Sequence, residues 1–300
     1  PDEYSAIVDD NVYTNLMAER NLREAADAAE RHEDGAERLG VDDDEIAAWR
    51  NAAEVVHVPF DERLGIHAQD ADFTQHDRWD FEATPADHYP LLLHYPYFEI
   101  YRKQVVKQAD LVMALFTRGD VFSAEEKRRA FDYYEERTVR DSSLSACIQS
   151  IVAAEVGHME LAYDYLAEAA LMDLHDLEHN VLDGVHIASL GGALIAVIAG
   201  LAGMRHHGRG LAFAPRLPAG IDRLAFRVAF RDRRLSVEIA GEEATYELSG
   251  DGDAAEIEHW EETIALEPGE SATVAIPAVA DTDPPDQPWG RAPARHANRR

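Results

Sequence analysis

Cysteine and lysine are the residues this chain nearly does without. A single cysteine, Cys147, excludes an intramolecular disulfide and a cysteine-built zinc site, and it points to a cytoplasmic setting. Lysine occurs at 103, 107 and 127 alone, and 28 basic residues face 58 acidic ones, for a net charge of −30. Such a surface repels polyanions, so no nucleic-acid partner is expected. The same balance suits a protein kept soluble in concentrated salt, where hydrated carboxylates remain soluble and their repulsion is screened. A salt-accumulating halophile is therefore the expected source, with an ordinary acidic cytosolic protein as the plainer alternative. No basic segment followed by an apolar one opens the chain, so no secretory leader is visible.

Long apolar runs are also scarce. Residues 185–204 form a charge-free stretch of bilayer length, but His186, Ser189 and glycines 191, 192, 200 and 203 interrupt it, and no second such stretch exists. The better reading is the inner helix of a large α-helical core, with small residues that let helices approach closely; no membrane partner is expected.

What the chain does have is apolar content, 46% of 300 residues, enough for one large domain or two smaller ones. Apolar positions recur at helical spacing over 11–32 (Val12, Leu16, Ala25, Ala28, Ala29) and again after Asp42, Asp43 and Asp44 (Ile46, Trp49, Ala53, Val56). Residues 59–96 are polar, aromatic and histidine-bearing with little periodicity, a loop length that in compact domains usually serves function; 67–81 is expected to line a site. Helices are predicted over 97–118, after Ser123 (a Ser-x-x-Glu capping box with Glu126), from Ser142 and Ser143 to Gly157, over 159–172, and over 186–204. The period then switches to two at Leu224, Phe226, Val228 and Phe230, at Leu235, Val237 and Ile239, and at Ala272, Val274 and Ile276, which predicts a small, mostly antiparallel β domain. Beyond Pro277, proline, aspartate and arginine replace any apolar period, so a disordered tail is expected. The expected domains are 1–208, 209–277 and the 278–300 tail. His175 and His179 are separated by one helical turn, but no third ligand accompanies them, and no metal site is expected.

Four short elements carry chemistry. Asp2-Glu3-Tyr4 is followed by Asn11-Val12-Tyr13-Thr14-Asn15; by itself Glu3 is a carboxylate ahead of a helix. Lys107-Gln108-Ala109-Asp110 offers an ammonium and a carboxamide, suited to vicinal hydroxyls, or else a helix-surface pair. Asp141-Ser142-Ser143-Leu144-Ser145 places hydroxyls where a helix should begin, able to donate to an anion or simply to cap the helix through Asp141 or Ser142. Gly184-Val185-His186-Ile187-Ala188-Ser189-Leu190-Gly191-Gly192 sets a histidine on an apolar helix, where a satisfied core histidine is the plain reading.

In this order the four elements resemble those of family 65 glycoside hydrolases, the family of maltose, trehalose and kojibiose phosphorylases and acid trehalases. The resemblance spans 1–277 and implies a mainly α fold: the second half of an α/α toroid of six helical hairpins, followed by a small C-terminal antiparallel β-sandwich. It implies Glu3 as the general acid, Lys107 and Gln108 as ligands of the glucosyl unit, and Ser142, Ser143 and His186 as the phosphate site. No cofactor is implied, inorganic phosphate being a co-substrate. The reaction implied is inverting phosphorolysis of an α-glucosidic disaccharide to β-glucose 1-phosphate. Phosphate is already nucleophilic, whereas an acid-trehalase-like hydrolase needs a base to activate water, for which Asp141 is the nearest candidate. An inactive sugar-binding or structural remnant is the third reading. The family's N-terminal sandwich and first half-toroid have no counterpart here, so the missing N-terminal half is an expected partner and the chain alone is expected to be inactive. Family members are often dimers, which leaves a homodimer as one expected assembly.

Overall fold

The computed structural model describes residues 2–5, 7–177, 179, 181–206, 210–230 and 232–294. Two compact units divide the chain: one runs to Asp141 and takes in Gln287–Gly290, and the other holds Ser142–Asp286 with the residues from Arg291 on. The expected boundary at 208/209 falls on residues outside those described.

In the first unit α1 (Val12–Arg31) starts where Asn11 accepts the backbone N–H of Thr14, and α2 (Glu33–Leu39) and α3 (Asp43–Val55) follow, the latter capped by Asp42. Short strands β1 (Phe60–Asp61) and β2 (Ile66–His67) pair antiparallel, and β3 (Asp77–Arg78) pairs in parallel with β4 (Lys103–Gln104). The helix predicted over 97–118 is two pieces, α4 (Tyr97–Ile100) and α5 (Asp110–Thr117). Between them Val106 bridges Thr138: its N–H donates to Arg137 O (3.0 Å) and its carbonyl accepts from Val139 (3.0 Å). Lys107 and Gln108 therefore lie in a bend just after this bridge, not in a helix, because long-range backbone bonds outweigh the local apolar spacing. The capping box of Ser123 and Glu126 starts α6 (Ala124–Glu135) as predicted. Its Phe131 and Tyr134 are fully buried, worth about 1.5–3 kcal/mol each against exposure.

The second unit begins with α7 (Ser145–Val156), ended by Gly157 in a left-handed conformation, then α8 (Met159–Leu171) and α9 (Ile187–Ile195), which continues as a π-helical turn over Ala196–Leu201. The glycines here do what close packing asks. A Cβ on Gly192 would stand 2.6 Å from Cys147 Sγ, and one on Gly200 would stand 3.2 Å from Ile151 Cα. Among the described residues no helix is long and apolar enough to cross a membrane.

After the helices the chain is β-sheet. Strands β5 (Leu211–Phe213), β9 (Ala255–His259) and β10 (Glu262–Leu266) form one sheet, and β6 (Arg223–Phe230), β7 (Arg233–Ala240), β8 (Glu243–Ser249) and β11 (Ser271–Ala275) another. Leu235, Val237 and Ile239 lie opposite Leu248, Tyr246 and Ala244, and all six are buried in one cluster with Phe213, Ile257 and Leu266. The antiparallel expectation needs one correction: β5 pairs with β9 in parallel. The β6–β8 meander between them is the long crossover that parallel pairing requires.

The segment after Pro277, expected to be disordered, carries no helix or strand through 294, yet its Asp281 and Thr282 are anchored within this unit. Thr282 donates its N–H to Gly157 O (3.0 Å), and Asp281 accepts the N–H of Met159 (3.2 Å). His158 Nδ1 lies 3.0 Å from both the carbonyl and the hydroxyl of Thr282. Polar composition argued against a core there, but not against capping of a helix corner. Residues 295–300 lie outside the described residues.

Candidate active site

Glu3 stands in a single 3-10 turn, Glu3–Ser5, just ahead of α1. Its Oε2 accepts a 2.6 Å bond from Lys107 Nζ, with the glutamate side chain 61% exposed and the lysine 18%. An ion pair this open to water contributes about 0–1 kcal/mol, so fold stability does not account for it.

What holds the pair in place lies beneath it. The Asp2 carboxylate is wholly buried and accepts the backbone N–H of Lys107 (3.1 and 3.2 Å) and of Gln108 (3.2 Å). Its own N–H donates to Asp110 Oδ2 (2.8 Å), an atom that also accepts from Asn11 Nδ2 (2.8 Å). The Asp110 N–H donates to Gln69 Oε1 (3.0 Å), and the Gln69 carbonyl accepts from Val12 (2.9 Å). The starts of α1 and α5 and the 59–96 loop are thus tied in one buried polar knot, and Gln69 gives that loop a definite structural task. Burial and the neighbouring Asp110 push the Asp2 carboxyl up to about 8, against the downward pull of the N–H groups of Gln108, Tyr4 and Lys107.

Tyr4 faces the other way, into a core of Trp79, Phe81, Leu91, Ile100, Val105 and Val139. Its hydroxyl donates to Asp141 Oδ2, and the Leu91 N–H donates to both oxygens (3.0 Å each). Burial, then the charge of Asp141, raises the phenol above its ordinary value. Asp141 is itself buried, so the candidate base is engaged in holding Tyr4.

The remaining expected residues belong to the second unit. Ser142 and Ser143, both half-buried, precede α7 instead of starting it. Ser142 Oγ accepts the N–H of Leu144 (3.3 Å), and the residue at the N-cap position of the helix is Leu144. His186 immediately precedes α9, which packs against α7. Asp173, just past the end of α8, receives the His186 N–H (3.2 and 3.0 Å) and lies 2.6 Å from its Nδ1. The structure therefore brings Glu3, Lys107 and the backbone of Gln108 together, and sets the two serines and His186 each ahead of one of two packed helices. Asp2, Gln69, Asp110 and Asp173 are the contributors that motif reading did not assign. Asp2 was detectable by adjacency to Glu3; Asp173 had no spacing signal. Among the described residues no group of three or more His, Cys, Asp or Glu is placed to hold a metal ion.

Sequence and structure comparisons agree with one another. Residues 1–195 match the glycosyl hydrolase family 65 central catalytic domain, and 204–275 match the family 65 C-terminal domain. An uncharacterized glycosyl hydrolase of Mycobacterium tuberculosis is 49% identical over 98% of this chain, and the alpha,alpha-trehalose phosphorylase of Thermoanaerobacter brockii is 40% identical over 90%. The chain spans 37% and 36% of the lengths of those two relatives. A solved structure from the human microbiome, named provisionally as a kojibiose phosphorylase, superposes with a TM-score of 0.80 at 23% identity, covering 91% of this chain and 38% of that one. With both of its regions matched in order, the chain belongs to glycosyl hydrolase family 65.

Proposed function

We propose that this chain is the C-terminal part of a longer enzyme that phosphorolyses an α-glucosidic disaccharide of the trehalose, maltose or kojibiose type with inversion, releasing β-glucose 1-phosphate and glucose. The observation that carries the proposal is the pairing of Glu3 with Lys107 over the Asp2 carboxylate, which sets a carboxyl group beside an ammonium donor on a rigid base. In this reading Lys107 turns with Gln108 to hydroxyls of the bound glucosyl ring, and Glu3, released from the ion pair and protonated, gives its proton to the departing glycosidic oxygen. Phosphate, bound by Ser142, Ser143 and His186, attacks the anomeric carbon from the opposite face.

Phosphorolysis is favoured over hydrolysis by the position of Asp141. A hydrolase needs a carboxylate with access to water, and this one is buried against Tyr4 and the Leu91 N–H. A six-hairpin toroid completed by the preceding part of the enzyme, with a small sandwich after it, is the architecture this reading implies. In support, among the described residues the apolar side chains Leu174, Leu182, Ile187 and Leu194 are 79%, 100%, 70% and 61% exposed, and each would be stabilised by burial against further chain.

The test uses the full-length protein with trehalose, maltose and kojibiose, with and without inorganic phosphate, assaying glucose and β-glucose 1-phosphate. Phosphate-dependent release of the sugar phosphate is expected. Equal glucose release without phosphate makes the enzyme a hydrolase, and absence of turnover on all three makes it a binding or structural remnant. Glu3→Gln is expected to lower turnover by about 10²–10⁴-fold, the usual contribution of a general acid.

A further inference from the structure

The contact between Asp173 and His186 goes beyond what a helix cap requires. A carboxylate ahead of α9 could serve the helix by accepting the His186 backbone N–H alone, as its 3.0 and 3.2 Å bonds do. The same group also meets the ring, with Oδ1 2.6 Å from Nδ1. One carboxylate thus fixes both the backbone and the imidazole of a single residue. The Asp173 carboxyl is held below the usual carboxylate range, chiefly by the bond to the His186 side chain, so it is an acceptor at neutral pH. An ionised carboxylate that close requires the proton on Nδ1, which leaves Nε2 as the working nitrogen. Nε2 has no hydrogen-bond partner among the described residues. The two side chains are 20% and 13% exposed, sheltered enough for the ring to keep its orientation.

We infer that Asp173 is a positioning residue for phosphate: by fixing the tautomer and direction of His186 it sets the affinity for the attacking anion without affecting the sugar. The inference rests on the phosphorylase reading and adds to it a residue that lies 13 positions from its partner. The chemistry is that of an oriented imidazole. With Nδ1–H committed to the carboxylate, Nε2 can accept the P–OH proton of hydrogen phosphate, and a ring free to turn would present Nδ1 or Nε2 at random. Outer partners that orient a ligand histidine are typically worth about 10–100-fold in affinity for what it binds.

The experiment compares the full-length wild type with Asp173→Asn and Asp173→Glu. Asn keeps an oxygen for one of the two donors but sets an amide against the other, whereas Glu keeps the charge on a longer arm. Initial rates are taken against inorganic phosphate at saturating disaccharide, and against disaccharide at saturating phosphate. Binding of inorganic phosphate to the resting protein is measured in parallel by calorimetry, independently of turnover.

The expected result is a rise of about 10–100-fold in the phosphate KM and Kd of Asp173→Asn, a smaller rise for Asp173→Glu, and a disaccharide KM within about twofold of wild type. An unchanged phosphate KM and Kd overturns the inference, and so does a loss in which both KM values and the melting temperature of either variant move together, the mark of a merely structural cap. If Asp173→Asn does not fold, the split between the two KM values in Asp173→Glu decides on the same terms. Turnover by the wild type that ignores phosphate would instead defeat the phosphorylase reading itself, a result separable from either variant.

Discussion

Lys107 Nζ bonds Glu3 Oε2 at 2.6 Å across 104 residues of sequence, and the backbone N–H of the same lysine is held by Asp2. The bond to the side chain is open to water and the bond to the backbone is buried, so the ammonium can exchange partners while its attachment stays fixed. Replacing the lysine therefore tests the site without dismantling the fold. Lys107→Met in the full-length protein is expected to lower kcat/KM for the disaccharide by about 10–100-fold, the worth of one hydrogen bond from a charged donor, with a melting temperature close to wild type. Unchanged kinetics would remove Lys107 from the sugar site.

Asp2 gives a pH signature with a definite sign. Its carboxyl titrates at about 8 in the folded chain against 3.8 for an unperturbed aspartate. Between those values the folded state holds a proton that the unfolded state has lost, so the stability contributed by this group is full below pH 4 and falls as pH rises toward 8. In Asp2→Asn that loss is absent. The melting temperature of wild type minus that of the variant, followed from pH 4 to 8, is expected to decrease steadily; a flat or rising difference would contradict the assignment.

Tyr4→Phe removes the hydroxyl shared by Asp141 and the Leu91 N–H and leaves a buried carboxylate with one donor fewer. A loss of about 1–3 kcal/mol in unfolding free energy by denaturant titration is expected. A change below 0.5 kcal/mol would mean that water or another donor replaces the phenol.

Gly192→Ala forces a methyl group toward Cys147 Sγ, where a Cβ has 2.6 Å of room. Destabilisation of about 1–3 kcal/mol is expected from overpacking, with part of it recovered by adding Cys147→Ala. Additive effects of the two substitutions would show that α7 and α9 do not meet there.

Charge sets the last expectation. With a net charge of −30, mutual repulsion between carboxylates is largest in dilute buffer and is screened to about 3 Å in molar salt. The melting temperature is expected to rise on going from dilute buffer to molar potassium chloride, and a constant or falling value would oppose an adaptation to salt.

Much of this architecture was legible where the signal was local. Asn11, Asp42 and the Ser123–Glu126 box announced their helices because a cap and the helix it starts are neighbours in sequence. Residues 97–118 misled because helical residues do stand at both ends, at Tyr97–Ile100 and Asp110–Thr117, while Val106 between them takes its backbone partners from residues 137 and 139. Strand β5, three residues long, is too short to display a period, and β8 to β10 are diluted by glutamate and alanine. At the site, residue types and motif order pointed to Glu3, Lys107, Gln108, Ser142, Ser143 and His186. The carboxylates that orient them did not stand out, since Asp2 and Asp173 look like ordinary acidic residues until their distant donors are known.

Thr282 and Asp281 supply partners to the corner between α7 and α8, at Gly157, His158 and Met159. During synthesis that corner is made more than a hundred residues before its partners, so the helical pair leaves the ribosome with an unfinished joint. A stretch of polypeptide that emerges much later is the piece that locks it.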